Sequence, residues 1–226
     1  MDFAISEKMQ TVLELINEFV DKELVPLEHD FLHGEWADLE PVLEEKRRMV
    51  KRMELWAPLH PQEHGGMGLD LVEYGLVCEA LARTPTGVYV FGCQAPDAGN
   101  IEILMKYGTP EQKKRFLDPL VRGEIRSCFS MTEPDQPGSN PTMLDTTAVK
   151  DGDDYVINGH KWYTSSADGA RFAIVMAVTN PEAPPHLRAS MIIVPTDTPG
   201  FNLVRNIQVM GHAGSGWHSH AEILYQ

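Results

Sequence analysis

The chain has 226 residues, a formal net charge of -14, and 42% hydrophobic and 23% charged residues. That is the balance of a soluble globular protein with room for one or two domains, and its acidity argues against a surface for nucleic acid or anionic membrane, which needs a basic excess. The longest apolar run, Phe172 to Val178, is far too short to cross a bilayer.

Asp2 and Glu7 stand where a secretory leader would carry its basic start, so none is expected. The three cysteines, Cys78, Cys93 and Cys128, lie in apolar surroundings without metal-ligand spacing. They read as reduced core thiols of an intracellular protein, cytoplasmic or, in a eukaryote, mitochondrial or peroxisomal. Basic residues bunch at Lys46, Arg47, Arg48, Lys51 and Arg52, and again at Lys113, Lys114 and Arg115. Each bunch reads as a solvated helix face.

In chain order, Met9, Val12, Leu13, Ile16, Phe19, Val20 and Leu24 recur at three- and four-residue steps, which predicts an amphipathic helix over 6–24 that Pro26 stops or kinks. A second helix is expected after Asp38 as its cap, burying Val42, Leu43, Met49, Val50 and Met53. Beyond a Pro/Gly loop, a third is expected over 70–83, with Leu71, Tyr74, Val77 and Leu81 at helical spacing. Another follows near 101–107. Thr109-Pro110-Glu111-Gln112 is a capping box with proline at the first helical position, and opens a last helix that ends before Gly123.

After Gly123 the period becomes alternating. Strands are predicted over 127–131, 146–150, 155–157, 161–163, 172–179, 190–194, 201–207 and 220–224, parted by turn residues. Asn158-Gly159 is the strongest hairpin signal. The fold class is therefore α+β: an N-terminal all-α helical bundle over 1–126, then an antiparallel β-barrel or sandwich-like domain over 127–226. An apolar strand closes the chain at Gln226, and reads as a cut within a larger protein.

The organising stretch is Cys128 to Asn140, a short buried strand running into a loop of Pro134, Pro137, Gly138 and Ser139. A strand ending in such breakers presents backbone N–H groups and small hydroxyls at a sheet edge, which suits a flat, polar-edged ligand.

Met131-Thr132-Glu133-Pro134 with Gly138-Ser139 resembles the acyl-CoA dehydrogenase family. So do Pro61 to Gly68, Tyr107 to Lys113, Asn158 to Ser165 and Thr198 to Phe201, in the family's order across nearly the whole chain. The resemblance implies FAD as cofactor. Phe129, Met131 and Thr132 would serve its pyrimidine edge through backbone donors and the Thr132 hydroxyl. Tyr163 would be the aromatic residue packed on the flavin and Ser165 the hydroxyl near N5, with Thr164 between them; Trp162 and Thr164 are the adjoining alternatives. Ser139 would contact the acyl-CoA.

The loop after Pro134 is one residue longer than is common in the family. The resemblance further implies acyl-CoA dehydrogenation with hydride delivered to flavin, an electron-transfer flavoprotein as acceptor, and a homo-oligomer assembled through a C-terminal helical domain absent from these residues. The catalytic base, usually a glutamate, would lie in that domain, so no catalytic residue is assigned here. Glu133 reads instead as a structural acceptor for nearby backbone N–H groups. An acyl-CoA oxidase, or a non-dehydrogenase flavoprotein of the same fold associated with nucleic acid or with assembly, is the alternative; the acidity disfavours nucleic acid. His212, His218 and His220 crowd a glycine-rich segment without zinc-ligand spacing, and read as a flexible loop beside the site rather than a metal centre.

Overall fold

The computed structural model describes residues 4–226; Asp2 lies outside them. Among the described residues no helix is long and apolar enough to cross a membrane. The chain divides into two compact units. One holds the described residues through Ala98 together with Leu117–Gly123, the other Gly99–Phe116 with Glu124–Gln226.

In the first unit, α1 (Glu7–Phe19) starts where the Ser6 hydroxyl accepts from Met9 N–H, and runs into a wider turn over Val20–Leu24. Met9, Ile16, Phe19, Val20 and Leu24 are buried, the stripe that the periodicity predicts. Pro26 falls in a tight turn that leads into α2 (Glu28–His33).

α3 (Trp36–Arg52) corrects two expectations. It begins two residues before Asp38, which sits in the first turn where a carboxylate favours the helix dipole rather than capping it. Its buried stripe is Trp36, Leu39, Leu43, Arg47 and Val50, while Val42 and Met53 are exposed.

Arg47 is thus a core residue and not part of a solvated face. Its guanidinium stacks 4.8 Å from the Trp56 ring and 4.4 Å from the Tyr89 ring, donates to Tyr89 O at 2.8 Å and to Gly123 O at 3.2 Å, and lies 3.1 Å from Glu44. A Cβ on Gly123 would stand 2.4 Å from that guanidinium, and its φ of +65° ends the preceding helix, so only glycine serves there.

α4 (Leu71–Leu81) carries a complete capping box between Asp70 and Glu73; it buries Val77 and Leu81 but leaves Leu71 exposed. α5 (Gly87–Val90) is one turn. Cys93 is buried, which pushes its thiol up to about 12 and leaves it inert, whereas Cys78 is half-buried.

The second unit contains most of α6 (Asp97–Tyr107), then α7 (Pro110–Gln112), opened by the Thr109–Gln112 capping box. α8 (Asp118–Val121) returns to the first unit. The seven strands are β1 (Ser127–Ser130), β2 (Thr147–Asp151), β3 (Asp154–Ser165), β4 (Phe172–Val178), β5 (Ala189–Pro195), β6 (Phe201–Asn206) and β7 (His220–Tyr225). They form one sheet in the order β1-β4-β2-β3-β7-β6, with β5 along β4. The fold is α+β, and the sheet is mixed, because β1 runs parallel to β4 while the hairpins are antiparallel. Cys128, Ala173, Val175, Ala221, Ile223 and Tyr225 fill its core.

Asn158-Gly159 is not a hairpin. The turn lies at Asp151 to Asp154, and β3 runs straight through Asn158 and Gly159. Up to Asn158 it pairs with β2; from Gly159 onward it pairs with β7. A Cβ at Gly159 would stand 2.2 Å from the Thr146 hydroxyl, so glycine is set there by close strand approach, not by a turn.

Candidate functional site

The site grows from two strand ends in the second unit. β1 stops at Ser130, and the chain continues beside β3: Trp162 N–H donates to Thr132 O at 3.0 Å, and the Thr132 hydroxyl donates to Trp162 O at 2.6 Å. The backbone N–H groups of Met131 and Thr132, past the last ladder residue, meet no protein acceptor among the described residues. Opposite them β3 is bulged. Lys161 pairs with Ile223 and Thr164 with Ala221, which puts one extra residue on β3. Tyr163 takes up the excess at φ +49°, a conformation that a bulky residue rarely adopts. Its ring is turned outward at 44% exposure, 5.1 Å from the Trp162 ring and tilted 65° to it.

A buried ion pair fixes this edge from behind. Lys161 Nζ donates to Glu133 Oε1 at 2.8 Å and to Met131 O at 2.7 Å, and both side chains are almost fully buried. Glu133 also accepts from Asp145 N–H at 2.6 Å and from Thr146 N–H at 2.9 Å. Burial alone would raise the Glu133 carboxyl, but the Lys161, Thr146 and Asp145 donors outweigh it and hold the group below the usual carboxylate range. Burial lowers the Lys161 ammonium against the opposing pull of Glu133. Glu133 is therefore the structural acceptor that the loop context predicts, with a full complement of donors. A lysine as its central partner was not foreseeable: a charged residue at an inward strand position announces burial only once its counter-ion is known.

Phe129, Met131 and Thr132 are half-buried along this edge. The side chain of Thr164 faces the interior. It is 1% exposed, with its hydroxyl 3.3 Å from that of Ser130, which in turn accepts from Tyr225 OH at 2.9 Å. Thr164 thus has only backbone to offer at the edge. Ser165 is half-buried, and its Oγ lies 2.9 Å from His220 Nδ1. Ser139 is exposed in the loop after Pro137, away from the β3 ladder in sequence.

The histidine-bearing loop is pinned rather than free. Ser166 Oγ donates to Trp217 O, Ser166 N–H to Ser219 O, and the Asp168 carboxylate accepts from Gly216 N–H and Asn206. Burial lowers both His218 and His220. Among the described residues no group of three or more His, Cys, Asp or Glu could hold a metal ion.

Two family models divide the chain at the same change of architecture: the acyl-CoA dehydrogenase N-terminal domain matches residues 6–124 and the acyl-CoA dehydrogenase middle domain residues 128–223. The chain belongs to the acyl-CoA dehydrogenase family. It is 39% identical to acyl-CoA dehydrogenase family member 11 of Gallus gallus over 99% of its own length and 30% of that protein's. To FadE2 of Mycobacterium tuberculosis, also named after the family, it is 38% identical over 100% of its length and 56% of the relative's. A solved Mycobacterium abscessus structure of the same family name superposes with a TM-score of 0.91 at 36% identity, covering 99% of this chain and 58% of that one. The chain thus spans only part of the length of these acyl-CoA dehydrogenase relatives.

The edge suits a flavin of the kind this family uses. It offers two N–H groups that meet no protein acceptor among the described residues, an exposed aromatic ring and the half-buried Ser165 hydroxyl, beside a buried ion pair.

Proposed function

We propose that this chain carries the flavin-binding edge of an FAD-dependent acyl-CoA dehydrogenase. The bulge that leaves Tyr163 exposed at φ +49°, on the strand whose Trp162 pairs with Thr132, is the observation that carries this reading. FAD, when bound, supplies a hydride acceptor for the β-hydrogen of an acyl thioester. The chain's own residues orient that acceptor. Met131 and Thr132 N–H groups would hold its polar rim, with Phe129 beside them. Tyr163 would pack on its face, the Thr164 backbone would hold the strand in register, and the Ser165 hydroxyl would serve its edge. Donors aimed at that rim favour the electron-rich, reduced cofactor.

The Thr132 hydroxyl is already donated to Trp162 O, so its backbone N–H is the better donor to the ligand. Ser139, exposed at the loop, is the candidate contact for the acyl-CoA. Glu133, the carboxylate closest in sequence to the site, is fully engaged by Lys161 and two backbone donors and is no base. The base that removes the α-proton, and the contacts of a homo-oligomer, are proposed to come from a C-terminal helical domain, as the resemblance to the family implies. An electron-transfer flavoprotein is the proposed acceptor of the reducing equivalents. Denaturing the purified full-length protein by heat is expected to release FAD, read by its yellow absorption band; a colourless supernatant from folded, active-length protein overturns the reading.

A further inference from the structure

We propose that His220 is a positioning residue that sets the donor or acceptor sense of the Ser165 hydroxyl toward the ligand. The inference rests on the flavin reading above and extends it to a residue outside the family's flavin segments.

Ser165 ends β3 and His220 begins β7, and the two are direct register partners with Oγ and Nδ1 2.9 Å apart. A serine hydroxyl has one proton and two lone pairs, and a neutral imidazole nitrogen is a donor or an acceptor according to tautomer. When Nδ1 accepts, the Ser165 proton is spent on the ring and the hydroxyl shows lone pairs to the ligand. When Nδ1 carries the proton, it donates to Oγ and frees the hydroxyl proton for the ligand. One side chain can so meet either kind of ligand atom without moving. A flavin demands this, because its central ring nitrogen accepts a hydrogen bond when oxidised and donates one when reduced.

The neighbouring hydroxyl cannot do the same, since Thr164 is buried against Ser130. The backbone that carries the imidazole is also held in place. Ile207 N–H donates to His220 O at 2.7 Å, and Ser166 N–H to Ser219 O at 2.9 Å. The charged and titratable groups on the elements around it are His218 and His212 on its own loop, Glu222 further along β7 with its partners His160 on β3 and Arg205 on β6, and Asp168 beyond the end of β3. Burial lowers His220, which favours the neutral ring at neutral pH.

The test is a double-mutant cycle on the full-length protein, read by FAD dissociation constant and by the midpoint potential of the bound flavin. His220→Gln places its amide away from the Nδ1 position, and is expected to weaken FAD about five- to tenfold, the worth of one hydrogen bond. His220→Asn, whose amide reaches the Nδ1 position, is expected to stay within about twofold of the wild type. In a Ser165→Ala background His220→Gln should change neither quantity further. If His220→Gln does not fold, His220→Phe, a ring of similar shape without nitrogen, gives the same comparison. Equal losses with and without Ser165, or no loss in a protein that binds FAD, overturn the role of His220. A wild-type protein that binds no FAD overturns the flavin reading, and this inference with it.

Discussion

At the scale of the residue, two buried basic side chains, one charged and one neutral, decide more than their neighbours in sequence suggest. Arg47 sits between two aromatic rings with its donors on two carbonyls and its charge beside Glu44. Arg47→Ala is expected to cost about 2–4 kcal/mol, because the Tyr89 and Gly123 carbonyls lose a charged donor and two rings lose their packing, whereas Glu44 keeps solvent and the Tyr89 hydroxyl. Arg47→Lys should recover only part of this, since an ammonium cannot fork between the two carbonyls. Urea unfolding of the three proteins measures both. His60 gives the acid response of the same unit. It is 2% exposed, and burial, with His64 adding to it, lowers its imidazole from about 6.5 to about 4. The unfolded chain therefore binds the proton more readily than the folded one between these values. The stability that depends on neutral His60 is fully present above about pH 6.5 and is lost as pH falls toward 4, on the order of 3 kcal/mol. His60→Leu should flatten this slope in urea midpoints taken from pH 7 to pH 4. Neither role was legible beforehand. Arg47 lies in a run of five basic residues whose charge suggests solvent, and only the rings of Trp56 and Tyr89, distant in sequence, draw it inward.

At the scale of the element, local chemistry was legible wherever it was local. The Thr109 capping box, the burial of the α1 stripe and the turn at Asp151-Gly152 depend on residues within a few positions of one another. Asn158-Gly159 shows the limit. The dipeptide has the composition of a tight turn, but its glycine answers to Thr146 on a preceding segment, and no short-range pattern carries that information. Gly159→Ala is accordingly expected to destabilise the protein by about 1–3 kcal/mol through overpacking at the point where β3 changes partner. Gly152→Ala, with nothing near its Cβ, should show only the smaller strain of its φ of +62°. Matched denaturant curves separate the two. The parallel pairing of β1 with β4 was invisible for the same reason: it joins segments more than forty residues apart.

At the scale of the whole molecule, five short motifs in order identified the family, while the geometry that makes a site of them did not follow from the motifs. Residues 129–132 and 163–165 were named from resemblance; the bulge, the outward ring of Tyr163 and the inward turn of Thr164 are products of the β3–β7 ladder. The site's proposed chemistry is also divided. With Glu133 closed off by Lys161 and two N–H groups, and the base proposed to come from elsewhere, these 226 residues are expected to show no dehydrogenation of any acyl-CoA on their own. An assay with a dye acceptor across several acyl chain lengths checks this, and turnover by the 226-residue piece would mean that a base has been overlooked within it.

The backbone of Tyr163 sets folding and binding at odds. A side chain held at φ +49° costs on the order of 1–3 kcal/mol that glycine would not incur. Tyr163→Gly should thus yield a protein that resists urea at least as well as the wild type, after the glycine's own chain entropy is deducted, and that retains FAD poorly. Selection for stability alone would erase the aromatic ring. On the proposed flavin reading, the strain at position 163 is a stability cost that the ring's contact with the ligand offsets only while the ligand is bound.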